Sequence, residues 1–173
     1  TVIVSSDKDL MQLVRGGITM LDPMKQRRIA DAEVVDRFGV TPDKVVDVQA
    51  LAGDSTDNVP GVPGIGVKTA AELINSYGDL DRLLAAADGI KQPKRRENLI
   101  NFADQARISR DLVRLRDDTP MPLPLTDLKR VPRDMDRLKA FLVAQDFRRL
   151  LVRIGEAGDG EALRAAPAVR SMA

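Results

Sequence analysis

Val48-Gln49-Ala50-Leu51-Ala52-Gly53-Asp54-Ser55-Thr56-Asp57-Asn58-Val59-Pro60-Gly61-Val62-Pro63-Gly64-Ile65-Gly66-Val67-Lys68-Thr69-Ala70 is the stretch on which the reading of this chain turns. Its first residues end a helical segment that opens at Thr41-Pro42, an N-cap residue followed by a first-turn proline. Its last residues open a second helix, Lys68 to Tyr77, which Gly78 ends. Gly61 to Gly66 is the break between them. Glycines permit positive φ and close backbone approach, and a helix start offers unpaired N–H groups and a partial positive charge to an anion. Two phosphate-binding readings compete. A nucleotide-binding P-loop fails on register: Val67 stands between Gly66 and Lys68, so the lysine arrives one position late, and no strand precedes the turn. A helix-hairpin-helix type turn, whose Gly64-Ile65-Gly66 amides meet backbone phosphates without reading bases, fits the helices on either side. A purely structural helix connection also remains open on the residues alone.

Just before the turn, Asp54 and Asp57 stand three apart, a spacing that predicts both on one side of a helical turn, within reach of one cation. Capping and Asx-turns explain the same residue types. A second pair, Asp7 and Asp9, stands where the apolar run Val2-Ile3-Val4 ends and a short helix, Leu10 to Val14, is predicted. That is the carboxyl edge of a strand, where open α/β sheets bind ligands. A divalent cation between two such acids offsets their mutual repulsion, while the plain alternative is that Asp7 caps the helix. The composition constrains the chemistry. With no Cys and no His in 173 residues, thiol nucleophiles, disulfides, the usual zinc sites and Ser-His-Asp triads are excluded. A metal here is held by oxygens, which selects magnesium, manganese or calcium.

The formal net charge is only +1, but the charges are segregated. Residues 31–57 carry seven acids against Arg37 and Lys44, whereas residues 90–116 carry eight bases against Glu97, Asp104 and Asp111. Two solvated helix faces of opposite sign would give the same count. No apolar run approaches the roughly 20 residues that span a bilayer and nothing resembles a signal peptide, so a cytoplasmic protein is expected.

Val2–Val4 reads as a strand buried on both faces of a parallel sheet, with Ile18 to Leu21 as its one nearby partner. Since a lone pair of short strands is marginal, the chain is expected to begin inside a larger α/β domain. Helices are predicted at Ala32–Phe38, from Thr41 toward Leu51, at Lys68–Tyr77, from an Asp79 cap through Ala87, at Pro93–Ala103 and Arg107–Val113, and from Asp134 through Val143 toward Ile154. Thr119-Pro120-Met121-Pro122-Leu123-Pro124 must be extended. The Gly- and Ala-rich tail after Gly155 reads as a linker or disordered segment.

Together Ser6-Asp7-Lys8-Asp9-Leu10-Met11-Gln12-Leu13-Val14, the Val48–Ala70 stretch and Tyr77-Gly78-Asp79-Leu80 resemble the 5′-nuclease (flap endonuclease) domain of bacterial DNA polymerase I, over its later part only. The resemblance implies a mixed α/β, mostly helical fold: residues 1–35 as the end of a PIN-like, Rossmann-like parallel-sheet nuclease core, residues 36–155 as a helical helix-3-turn-helix region that binds duplex DNA, and 156–173 as linker. It implies that Asp7, Asp9, Asp54 and Asp57 are catalytic and bind divalent Mg2+ or Mn2+ in a two-metal site. It further implies that Gly64, Ile65, Gly66, Lys68 and Thr69 hold the duplex, with a potassium ion at the hairpin, and that Lys94, Arg95 and Arg96 lie along it. The implied enzyme removes 5′ flaps and RNA primers in replication and repair, with a polymerase domain downstream. The family's first acids and helical arch are not in this sequence, so the chain is expected to bind DNA without cleaving it. A non-catalytic helix-hairpin-helix DNA-binding module and a nucleotide-dependent phosphotransferase are the other readings.

Overall fold

The computed structural model describes residues 1–156, so the expected linker at 156–173 lies outside them but for Glu156. In chain order the elements are β1 (Val2–Val4), β2 (Thr19–Asp22), β3 (Arg27–Ile29), α1 (Asp31–Phe38), α2 (Val45–Ala52), α3 (Val67–Tyr77), α4 (Leu80–Ala85), α5 (Pro93–Asn101), α6 (Ala103–Val113), α7 (Met135–Ala144) and α8 (Arg148–Glu156). Short 3-10 turns at Lys8–Leu13, Pro42–Lys44, Ala87–Gly89 and Leu125–Asp127 link them. The fold is mixed α/β and mostly helical.

β1 pairs parallel with β2, Ile3 opposite Met20, and β3 returns antiparallel with Ile29 opposite Met20. The third strand was not expected from the sequence. Nor is β1 buried on both faces: it is the outer strand, Val2 and Val4 are 46% and 62% exposed, and only Ile3 packs on the core. At the centre lies α2, whose Val45, Val48, Gln49, Ala50 and Leu51 are all buried, packed chiefly on α3 and α6. Fully burying a residue such as Leu51 contributes about 1.5–3 kcal/mol.

Met11, Val14, Met20 and Ile29 from the sheet region belong to the same apolar cluster as Leu51, Ile74, Leu83 and Leu99 from the helices. The sheet region and the helices thus share one apolar core. The described residues fall into two compact units, Thr1–Thr119 and one that begins at Pro120, the proline-rich stretch opening the second. That stretch is neither helix nor strand over 119–124. In the second unit the helix expected from Asp134 toward Ile154 is two helices. Asp146 takes a left-handed backbone (φ 53°) that ends α7, and Phe147 turns back edge-on to Phe141 at 6.3 Å between centroids. In the first unit α6 begins at Ala103, four residues before the predicted start. The segment from Thr41 begins as a 3-10 turn before α2. Among the described residues no helix is long and apolar enough to cross a membrane.

Candidate functional site

Asp9 sits in the 3-10 turn after β1, and Asp54 follows directly on the glycine that ends α2. Asp54 and Val59 then exchange two backbone hydrogen bonds, 2.9 and 2.8 Å, closing a small loop that carries Asp57. The predicted helical turn at Asp54–Asp57 is therefore a bridged loop, with Asn58 left-handed at φ 56°. One carboxylate oxygen from each of Asp9, Asp54 and Asp57 lies within 4.8 Å of the others. Asp7 stands outside this group, exposed, its Oδ1 accepting the Asp9 N–H at 3.0 Å as cap of the 3-10 turn.

Two residues that sequence reasoning did not single out complete the cluster. Lys8 turns its ammonium inward, donating to Asp54 Oδ2 and lying 3.6 Å from Asp9 Oδ1. The Asp54 carboxylate therefore holds the Lys8 ammonium above its usual pKa, and Lys8 in turn holds Asp54, whose side chain is 7% exposed, below the usual carboxylate range. Gln49, buried in α2, donates its amide N–H to Asp9 Oδ1 at 2.5 Å. The signal for Lys8 was its place between two acids; for Gln49 it was an amide inside an apolar helical run. Three converging carboxylates repel unless a cation sits among them, and an all-oxygen donor set suits a hard one.

The glycine turn is fastened to the same helix. Val62 N–H donates to Leu51 O at 2.8 Å, and Gly66 is the N-cap of α3. Ile65 is only 4% exposed and its N–H donates to Val62 O, so it anchors the turn, while the Gly64 and Gly66 N–H groups have no acceptor among the described residues. Lys68 is exposed and Thr69 half-buried in the first turn of α3.

Behind the turn α5 and α6 hold its backbone. The Gly61 N–H donates to Ser109 Oγ at 3.1 Å, Gln105 Nε2 donates to Gly61 O at 2.7 Å, and Asn98 Nδ2 donates to Pro63 O at 2.7 Å. These partners lie 35 to 48 residues from the turn, beyond any local pattern. Lys94 and Arg95 precede Asn98 by four and three positions, so they share its helix face beside the turn. Lys94 pairs with Glu97 at 3.1 Å, Arg96 donates to Ile90 O, and Arg95 has no ion pair among the described residues. Ser109 is fully buried, so Ser109→Ala strands the Gly61 N–H. The expected cost is about 1–3 kcal/mol, a drop of at least about 2 °C in melting temperature. An unchanged melt would mean that another acceptor reaches Gly61.

A family model described as 5′-3′ exonuclease, C-terminal SAM fold, matches residues 40–136, which hold Asp54, Asp57, the glycine turn and the α5 bases. The chain belongs to this family. Similar relatives include DNA polymerase I of Rhizobium leguminosarum, 52% identical over 96% of this chain, and the thermostable DNA polymerase I of Thermus aquaticus, 39% identical over 95%. The chain spans 16% and 19% of their respective lengths. Among solved structures, a bacteriophage T5 flap endonuclease, in a pseudo-enzyme-product complex with DNA and metal ions, matches with a TM-score of 0.61 at 20% identity, over 65% of this chain and 42% of that one. The fold is therefore that of the T5 enzyme's corresponding region.

Proposed function

We propose that the chain is part of a structure-specific 5′-nuclease of the DNA polymerase I type, hydrolysing phosphodiesters at 5′ flaps and RNA primers. The observation that carries this reading is that α2 ties two devices together: its end feeds the Asp9, Asp54 and Asp57 cluster, and its Leu51 carbonyl holds the turn with the free Gly64 and Gly66 amides. Carboxylates with oxygen-only donors fit Mg2+ or Mn2+. Asp9, Asp54 and Asp57 would hold the metal, with Asp7 adding a carboxylate oxygen beside Asp9. When bound, such ions generate hydroxide from water and stabilise the attacking and leaving oxygens.

The residues of the chain itself do the positioning. Gly64, Gly66 and the α3 first turn, with Lys68 and Thr69, receive a phosphate. Lys94, Arg95 and Arg96 follow the same backbone, giving affinity without base readout. A potassium ion at the turn belongs to the same proposal. The Gly61, Val62 and Pro63 carbonyls each accept one protein donor and keep a second lone pair. The partners are then duplex DNA beside a 5′ flap, the rest of a nuclease domain and a polymerase domain of the same protein, and the compartment is the cytoplasm.

The competing reading, a DNA-binding module whose acids need no metal, draws on Lys8, which already neutralises Asp54. Anisotropy of a labelled 5′-flap duplex across a salt series tests the DNA half of the proposal. Replacing Lys68, Lys94 and Arg95 by alanine is expected to reduce the slope of log affinity against log salt by about 0.9 for each phosphate no longer neutralised. An unchanged slope would remove these residues from the interface. Divalent-metal binding that depends on Asp54 separates the nuclease reading from the module.

A further inference from the structure

Among the described residues one buried side-chain atom lacks a hydrogen-bond partner: Oε1 of Gln49. Gln49 is 3% exposed, and its helix neighbours Val45, Val48 and Leu51 are fully buried and apolar. A leucine or methionine there would satisfy the core better, because an unpaired buried carbonyl gives up its hydration and gains no hydrogen bond in return. The orientation of the amide is fixed by chemistry. An ionised carboxylate only accepts, so the Gln49 NH2 must face Asp9 Oδ1, and Oε1 is left without a protein donor. The orphaned acceptor is thus one amide away from a member of the Asp9, Asp54 and Asp57 cluster.

We propose that Gln49 is a positioning residue for the metal cluster: its N–H fixes the Asp9 carboxylate, and its Oε1 accepts a hydrogen from a water of the bound divalent ion's hydration shell. The inference rests on the metal reading above and assigns this chain's outer-shell contact to it. Partners that orient a ligand and its water are worth roughly ten- to a hundred-fold in metal affinity. The polar atom that costs the fold stability is, on this account, retained for the ion.

Calorimetric Mn2+ titration of the chain, with the electron paramagnetic resonance spectrum of bound Mn2+, tests this on wild type, Gln49→Met, Gln49→Leu and Asp54→Asn, alongside thermal melts in EDTA. Both Gln49 variants are expected to melt at or above wild type in EDTA, yet to bind Mn2+ at least about ten-fold more weakly with an altered spectrum. Met and Leu differ in length, so a packing failure in one leaves the other to be read. If the wild type binds Mn2+ through Asp54 and the folded Gln49 variants bind it equally well, the assignment of Gln49 is overturned while the metal site stands. Lowered melts in EDTA with unchanged affinity overturn it as well, in favour of a packing role. If wild type and Asp54→Asn titrate alike, the metal reading falls and Gln49 with it.

Discussion

Asp54→Ala is expected to abolish divalent-metal binding by the chain, weakening Mn2+ at least about a hundred-fold, the upper end of what even an outer-shell substitution costs. Three features make Asp54 the strongest single lever. Its side chain is the most buried of the cluster, its Oδ1 is fixed by the Thr56 N–H at 3.0 Å, and its Oδ2 is the one that Lys8 seeks. The substitution also strands a partly buried ammonium. Lys8 retains 30% of its side-chain exposure, so water compensates much of the loss and the fold should weaken by only about 1 kcal/mol. The sign with pH follows from the directions of both shifts. Lys8 lowers the Asp54 pKa, so that contribution is present above the ordinary carboxylate range and is lost as pH falls through the lowered value. Asp54 raises the Lys8 pKa, so that contribution is complete below the ordinary lysine value and is lost as pH rises past the raised one. Thermal melts from pH 2 to 12 should therefore show the wild-type advantage over Asp54→Ala across the middle and its decay at both ends. A variant that binds Mn2+ like wild type would remove Asp54 from the metal site.

What the sequence made legible were features written in short-range spacing. The turn between α2 and α3, the Asp54 and Asp57 pair and the strand-end acids are local patterns of residue type. What it hid was set by tertiary contact. Lys8 read as a charge between two acids, because nothing local says that the 3-10 turn aims it at Asp54, 46 residues on. Asp7 and Asp9 looked equivalent by spacing, but one carboxylate is occupied in capping the turn that carries the other. Ser109 lies inside the predicted Arg107–Val113 helix and Gln105 between two predicted helices, and their grip on Gly61 exists only once α6 packs on α2. β3 was missed because Arg27-Arg28-Ile29 carries one apolar residue, and pairing with β2 overrides its weak local preference.

The turn itself yields the second large effect, because its glycines do different work. Gly61 has φ +63°, and a Cβ there would lie 2.7 Å from Gly53 Cα and 2.8 Å from the Ala52 carbonyl carbon. Both are backbone atoms at the end of α2, held by the Asp54–Val59 bridge, so no flexible side chain can give way. A left-handed backbone costs a non-glycine about 1–2 kcal/mol, and forced overpacking adds about 1–3. Gly61→Ala is thus expected to lower stability by about 2–5 kcal/mol, at least about 4 °C in a thermal melt. Gly66 is the opposite case. Its φ of −93° suits any residue, and a Cβ would meet nothing within 4 Å, so Gly66→Ala should cost at most about 1 kcal/mol as an N-cap change. Space that is open in the protein is, on the proposed function, where a DNA phosphate meets the backbone amides. A methyl group there should cost about 1.5–3 kcal/mol, the worth of a charged hydrogen bond and about ten- to a hundred-fold in affinity for 5′-flap DNA. The two variants should therefore split cleanly: a melt that falls for Gly61→Ala, and binding that falls with a near-normal melt for Gly66→Ala. Full flap affinity in Gly66→Ala would show that the phosphate does not approach through the turn. A wild-type melt for Gly61→Ala would show that the end of α2 yields where its backbone contacts say it cannot.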